Sequence, residues 1–199
     1  MDYYDIDVYE RRVTTSSPEA QMWFNRGLVW TNAYFHDEAV ACFRRALEAD
    51  PECAMAHWGV AYAAGPNYNM PWERRDAKMR ADTAETCHSA TVAALALSAK
   101  ATPVERAMIE ALPSRFPQRT PEELEVMRGW NDDYANAMRG VYEAFPGDLD
   151  AACVFVEAIM NRTPWKMWDQ ATGAVADGAG TTEAQDVLEK TFDQYGEPW

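Results

Sequence analysis

The run Trp23-x3-Gly27-x2-Trp30, followed by Ala39, Phe43, Ala46 and Pro51, constrains this chain more than anything else in it. It fits one unit of a helix-turn-helix repeat of about 34 residues. Each position has a packing reason. Gly27 has no side chain, so a second helix can approach the first closely. Ala39 and Ala46 sit at the crossing, and Phe43 fills the space between them. Pro51 closes the unit, because proline cannot continue a helix.

The rest of the chain reads as helices separated by strong breakers. Ser17-Pro18 is a cap followed by a first-turn proline, opening a helix to about Phe35. His36-Asp37-Glu38 opens a second, ending near Asp50-Pro51. A third begins at Glu52, carries Met55, His57, Trp58 and Tyr62, and stops at Gly65-Pro66. Helix resumes from Asp76 to Lys100 and again from Thr102-Pro103 to Pro113. Thr120-Pro121-Glu122-Glu123 has the composition of a helix start, with acids at the positive end, and its apolar stripe runs to Phe145. Residues 149–162 are apolar enough for a buried helix. Residues 171–181 form a Gly- and Ala-rich loop, and Thr181 or Thr182 caps a last helix to about Tyr195.

This pattern predicts an all-α fold of helical hairpin repeats, an α-solenoid with irregular loop insertions. An arm over residues 1–17 precedes a repeat domain over 18–199, whose best repeat is 20–53. In the arm, Tyr3, Tyr4, Val8, Tyr9 and Val13 could dock on the helices. Ala137, Val141, Ala144 and Pro146 echo the repeat in degenerate form, so two or three hairpins are expected to stack around a concave face.

Net charge is −14, and the acid is uneven: Asp2, Asp5, Asp7 and Glu10 open the chain, and beyond Trp168 Lys190 is the lone base. Such a surface repels phosphate, which argues against nucleic acid or anionic membrane as partners. The N-terminus lacks the basic and apolar runs of a signal peptide, and no stretch is long and apolar enough for a membrane span. Cys42, Cys53, Cys87 and Cys153 are scattered without a C-x2-C pair, so they read as free thiols in a reducing, cytoplasmic setting.

Standard catalytic signatures are missing. There is no G-x-S-x-G elbow and no Gly-rich phosphate loop. The three histidines, His36, His57 and His88, lack the i, i+4 spacing of helical metal sites. Carboxylates are plentiful (Glu38, Glu52, Glu73, Glu110, Glu125 and Glu157), but spacing alone does not select an acid–base pair. His36 reads as packing or capping at the inter-helix turn. The insertion Gly65-Pro66-Asn67-Tyr68-Asn69-Met70-Pro71-Trp72 interrupts the repeat, and inserted loops on such arrays often form sites. Repeat register places Phe24, Leu28, Thr31 and Asn32 on the concave face, with Met55 and Trp58 from the next unit. That is an apolar, aromatic groove without the basic residues that grip acidic tails.

From Trp23 to Pro51 the chain resembles the tetratricopeptide repeat. The strings 36–40, 53–59, 65–69, 102–106, 109–112 and 161–165 resemble a group of long, mostly uncharacterised microbial tetratricopeptide repeat proteins. The resemblance spans residues 20–198. It implies that this is the N-terminal portion of a larger assembly, completed by a further portion, a separate chain or a second copy; it implies no activity. Two functions remain open. One is a scaffold that binds a protein or peptide partner through the groove. The other is the N-terminal part of a larger, metal-dependent enzyme, with His57, Asn67, Asn69 and Trp72 walling a pocket and metal ligands supplied from elsewhere. No cofactor can be named from the sequence.

Overall fold

The computed structural model describes residues 3–6 and 9–196, so Val8 of the arm lies outside the described residues. The described chain is all-helical: α1 (Pro18–Asn32), α2 (His36–Ala49), α3 (Ala54–Ala64), α4 (Ala77–Leu97), α5 (Pro103–Arg115), α6 (Leu124–Ala144), α7 (Leu149–Met160) and α8 (Thr181–Tyr195). Single 3-10 turns lie at Trp72–Arg74 and Ser98–Lys100. No strand forms among the described residues; two isolated bridges, Asn67 to Met70 and Trp168 to Val175, pin loops.

Helix starts follow local chemistry. The Ser17 hydroxyl accepts from the Ala20 amide at 3.2 Å, and Pro18 occupies the first turn. Asp76 and Asp148 cap α4 and α7 in the same way. Thr102 and Glu105 form a reciprocal capping box at α5. Two boundaries differ from the sequence reading. α5 continues two residues past Pro113, whose missing amide costs only one bond in a final turn. α6 begins at Leu124 rather than after Thr120, because Gln118 engages the Thr120 carbonyl at 2.9 Å and the Glu122 carboxylate at 2.9 Å, holding this stretch as a turn.

Each helix packs chiefly on its neighbours in the chain, while α1 also meets α3 and α3 also meets α5. Three helices converge on Phe43 of α2. A Cβ at Gly27 of α1 would stand 2.5 Å from the Phe43 ring, and so would one at Gly59 of α3. The ring is therefore clamped between two glycine surfaces, with Phe24 tilted against it at 5.4 Å.

The described residues of the arm are held at several points. Tyr3 packs edge-on against Trp23 at 5.0 Å, accepts from the Trp30 indole and donates to Glu38. Further on, Thr14 donates its amide and hydroxyl to Glu105, at 2.7 and 2.6 Å. Glu105 is only 1% exposed and also accepts from the Thr102 amide and hydroxyl, so a fully buried carboxylate is saturated by four donors.

The clamp sets a stability prediction. Gly59→Ala should lower unfolding stability by about 1–3 kcal/mol through overpacking, and Phe43→Leu in the same chain should recover part of that loss. By contrast, Gly140 in α6 has open space around its Cβ position, so Gly140→Ala should raise stability by up to about 1 kcal/mol. Urea denaturation of the three variants checks both directions.

Candidate functional site

α1, α3, α5 and α7 enclose a hollow of about 190 Å³. Leu28, Thr31 and Asn32 of α1 face it, as do Trp58 and Tyr62 of α3, Met108 of α5, and Val154, Glu157 and Met160 of α7. Tyr34 from the α1–α2 turn and Leu188 of α8 complete the rim. The wall is mostly apolar, with a few polar groups set into it, the usual composition of a binding cavity.

Trp58 and Tyr62 lie one turn apart and stack at 4.8 Å with their planes nearly parallel. The Trp58 indole N–H is buried with no partner. Behind Tyr62 stands Arg115, 1% exposed and with no ion-pair partner among the described residues. Its Nη2 donates to the Pro66 carbonyl at 2.6 Å, and its guanidinium lies over the Tyr62, Phe116 and Tyr134 rings at 5.2, 5.2 and 4.9 Å. Three π faces and a carbonyl thus stand in for a counter-ion. Burial, only partly offset by Tyr134 and Cys87, moves this guanidinium below its ordinary pKa.

Glu157 carries the cavity's electrostatic character. Glu157 lines the hollow, is half-buried, and has no ion-pair partner among the described residues. Burial pushes its pKa from 4.5 up to about 7, against a smaller opposing hydrogen bond from Asn161. Tyr34 feels the same environment: burial, then the nearby Glu157 charge, raises its phenol. Tyr34 also holds a left-handed backbone (φ 59°), uncommon for a bulky residue and a mark of local constraint.

At the N-terminal end of α7 the arm forms the hollow's wall. The Arg11 Nη1 donates to Asp148 at 2.8 Å and to Asp150 at 2.7 Å, and the Tyr9 hydroxyl donates to Asp150 at 2.8 Å. Burial opposes the Arg11 charge, but these two carboxylates outweigh it and raise its pKa. The arm's backbone is held by α1. The Val13 amide donates to Gln21 at 3.0 Å, Gln21 donates to the Arg11 carbonyl at 2.7 Å, and the Arg11 amide donates to Asn25 at 3.3 Å.

The residues expected on the concave face therefore separate. Leu28, Thr31, Asn32 and Trp58 border the hollow. Phe24 and Met55 do not; both are wholly buried, 0% and 1% exposed. The hollow opens one turn further along each helix, and at the level of Phe24 the space is filled by Phe43.

The pocket expected between His57 and the insertion does not form. His57, half-buried, points its Nε2 at the Pro51 carbonyl, 3.1 Å away, at the start of α3. The insertion leaves the other end of α3, roughly 10 Å further along at the rise of an α-helix. Trp72 is no pocket wall either: it is 0% exposed and meets Trp130 edge-on at 6.1 Å, pegging the insertion to α6. Asn67 folds the loop on itself, its Oδ1 accepting from the Asn69 and Met70 amides at 3.0 Å each.

A second, wider cavity of about 640 Å³ does adjoin the insertion. Its histidine is His36, with Asn67, Asn69, Arg44 and Arg75 around it and Tyr34 shared with the first hollow. Both His36 ring nitrogens are buried without a hydrogen-bonding partner. Burial first, then the Arg115 and Arg75 charges, lowers its pKa, while the Ala63 carbonyl pulls weakly the other way. Arg75 is committed to the loop, donating to the Gly65 carbonyl at 2.6 Å and to Thr83 at 2.6 Å. Among the described residues no group of three or more His, Cys, Asp or Glu side chains could hold a metal ion. Cys42, Cys53, Cys87 and Cys153 are all free, the first three buried. No helix among the described residues is long and apolar enough to cross a membrane.

Sequence reasoning named Glu157 only as one carboxylate among several and did not select it. Its signal was a lone mid-helix carboxylate in a segment already read as buried.

The shift at Glu157 has a definite sign. A carboxyl whose folded pKa is raised stabilises the fold fully below its unfolded value of 4.5, and that contribution is lost as pH rises through about 7. Glu157→Gln should therefore raise unfolding stability at pH 8 by on the order of 2 kcal/mol, and with it the thermal midpoint, with the gain shrinking towards pH 4.5. Melting curves of both proteins across pH 4.5–8 measure this. Comparison with protein-family models, with curated proteins and with solved structures found no match to this chain.

Proposed function

We propose that the chain is a tetratricopeptide-like helical scaffold that binds an extended segment of a partner protein along its concave face. One observation carries this reading: the face already holds an extended peptide, the chain's own arm. Gln21 and Asn25 of α1 bond the backbone of Arg11 and Val13, and Tyr9 and Arg11 place their side chains on α7 carboxylates. Backbone-reading amides on one helix, with side-chain docking points opposite, are what a groove needs to hold an extended chain. The hollow beside the arm, between Leu28, Trp58 and Glu157, continues that groove and is the space left for a partner.

The test is selection of short peptides displayed against the full chain, followed by titration. Asn32 is exposed and borders the hollow, so Asn32→Trp should fill its mouth without disturbing the core. Selected peptides should bind at least tenfold more weakly to that variant while its circular dichroism is unchanged. Equal affinity for both proteins would mean that the concave hollow is not the binding surface.

A further inference from the structure

The hollow also carries information on what it receives. Its size favours a single side chain: at about 190 Å³ it falls below the roughly 300–1,000 Å³ of cavities that enclose whole small-molecule ligands. Its charge favours a cation. Arg11 is already paired with Asp148 and Asp150, at 2.8 and 2.7 Å, and Glu157, which lines the same hollow, has no cation beside it among the described residues. The other ionisable groups around Glu157 are Tyr34 from the α1–α2 turn, Tyr62 from α3, Arg11 from the arm, and Asp150 and Cys153 on α7 itself. α5 and α8 contribute only Met108 and Leu188 there. With Asp148 behind Arg11, the local balance is acidic, as is the chain at −14. The aromatic stack of Trp58 on Tyr62 borders the same space, and a carboxylate beside aromatic rings is the pairing that recognises an ammonium group on an apolar stem.

Resting on the groove reading above, we propose that the inner hollow takes the side chain of a lysine from an extended segment of a partner protein, with Glu157 as its counter-ion and the Trp58–Tyr62 stack along its stem. The arm supplies the precedent, since Arg11 lays a guanidinium from an extended segment on the α7 carboxylates of the same wall. Binding would hold Glu157 ionised, so a proton leaves the carboxyl to solvent when the lysine enters below pH 7.

The experiment is calorimetric titration of the full chain with acetyl-Ala-Lys-Val-amide, its norleucine counterpart, and n-butylammonium. At pH 8 the lysine peptide should bind at least tenfold more tightly than the norleucine peptide, and Glu157→Gln should erase that difference. Between pH 8 and pH 6 the lysine peptide should weaken by about tenfold, as a carboxyl titrating near 7 becomes protonated, while the norleucine peptide stays level. If both peptides bind equally and Asn32→Trp blocks both, the groove stands and the lysine assignment falls. If neither peptide binds, the groove reading falls with it. If n-butylammonium binds as tightly as the lysine peptide, the site is for a small amine and the partner segment is wrong.

Discussion

The arrangement depends on one aromatic ring held between two bare backbones. Phe43 can touch α1 and α3 together only because Gly27 and Gly59 each present no Cβ within the 2.5 Å that would remain. Close-packed interiors transmit such constraints. With α2 seated on both neighbours, the next turns of α1 and α3 bring Leu28, Thr31 and Trp58 to a shared hollow. The clamp and the cavity are thus consecutive levels along α1 and α3, the first bounded by α2 and the second by α5 and α7. The first level is filled by an aromatic side chain; the second is open.

The arm then decides what kind of surface that hollow belongs to. It closes no helix of its own, yet it bonds to α1, α2, α5 and α7 through Gln21, Glu38, Glu105, Asp148 and Asp150. Its main polar contacts are paired: Glu105 has four donors and Arg11 two carboxylates, although Arg11 Nε has no partner. Groups bordering the hollow differ. Glu157 lacks an ion-pair partner, and the Trp58 N–H is unpaired. An unsatisfied buried N–H costs free energy, and the Trp58 indole leaves one beside the hollow.

The helical class was legible because its signals are local. Ser17-Pro18, Thr102-Pro103 and Gly65-Pro66 act within a turn of themselves, and α1, α5 and the end of α3 obey them. Thr120-Pro121 looked equally good but lost its cap to Gln118, a competition no propensity reveals. The site was legible only in part. Repeat register put Leu28, Thr31, Asn32 and Trp58 on one face, and they share a cavity; it could not say at which level that face opens, so Phe24 and Met55 were included. His57 and the insertion are close in sequence but lie at opposite ends of α3, whereas His36, distant in sequence from the insertion, lies beside it. Arg11 was not singled out and Glu157 was not ranked above other carboxylates, because their importance comes from residues that only the tertiary fold brings near.

Tying the arm to α7 also has a consequence for how the molecule assembles. The α1–α2 hairpin closes through a turn of three residues, Ala33 to Phe35, and contacts of that kind form early because little chain entropy is lost. The bond from Arg11 to Asp148 joins groups 137 residues apart in the chain. Loop closure over that distance is paid for late, after the intervening helices have paired. During synthesis the strap can settle early on α1 and α2, but its Arg11 side chain must wait until α7 has emerged.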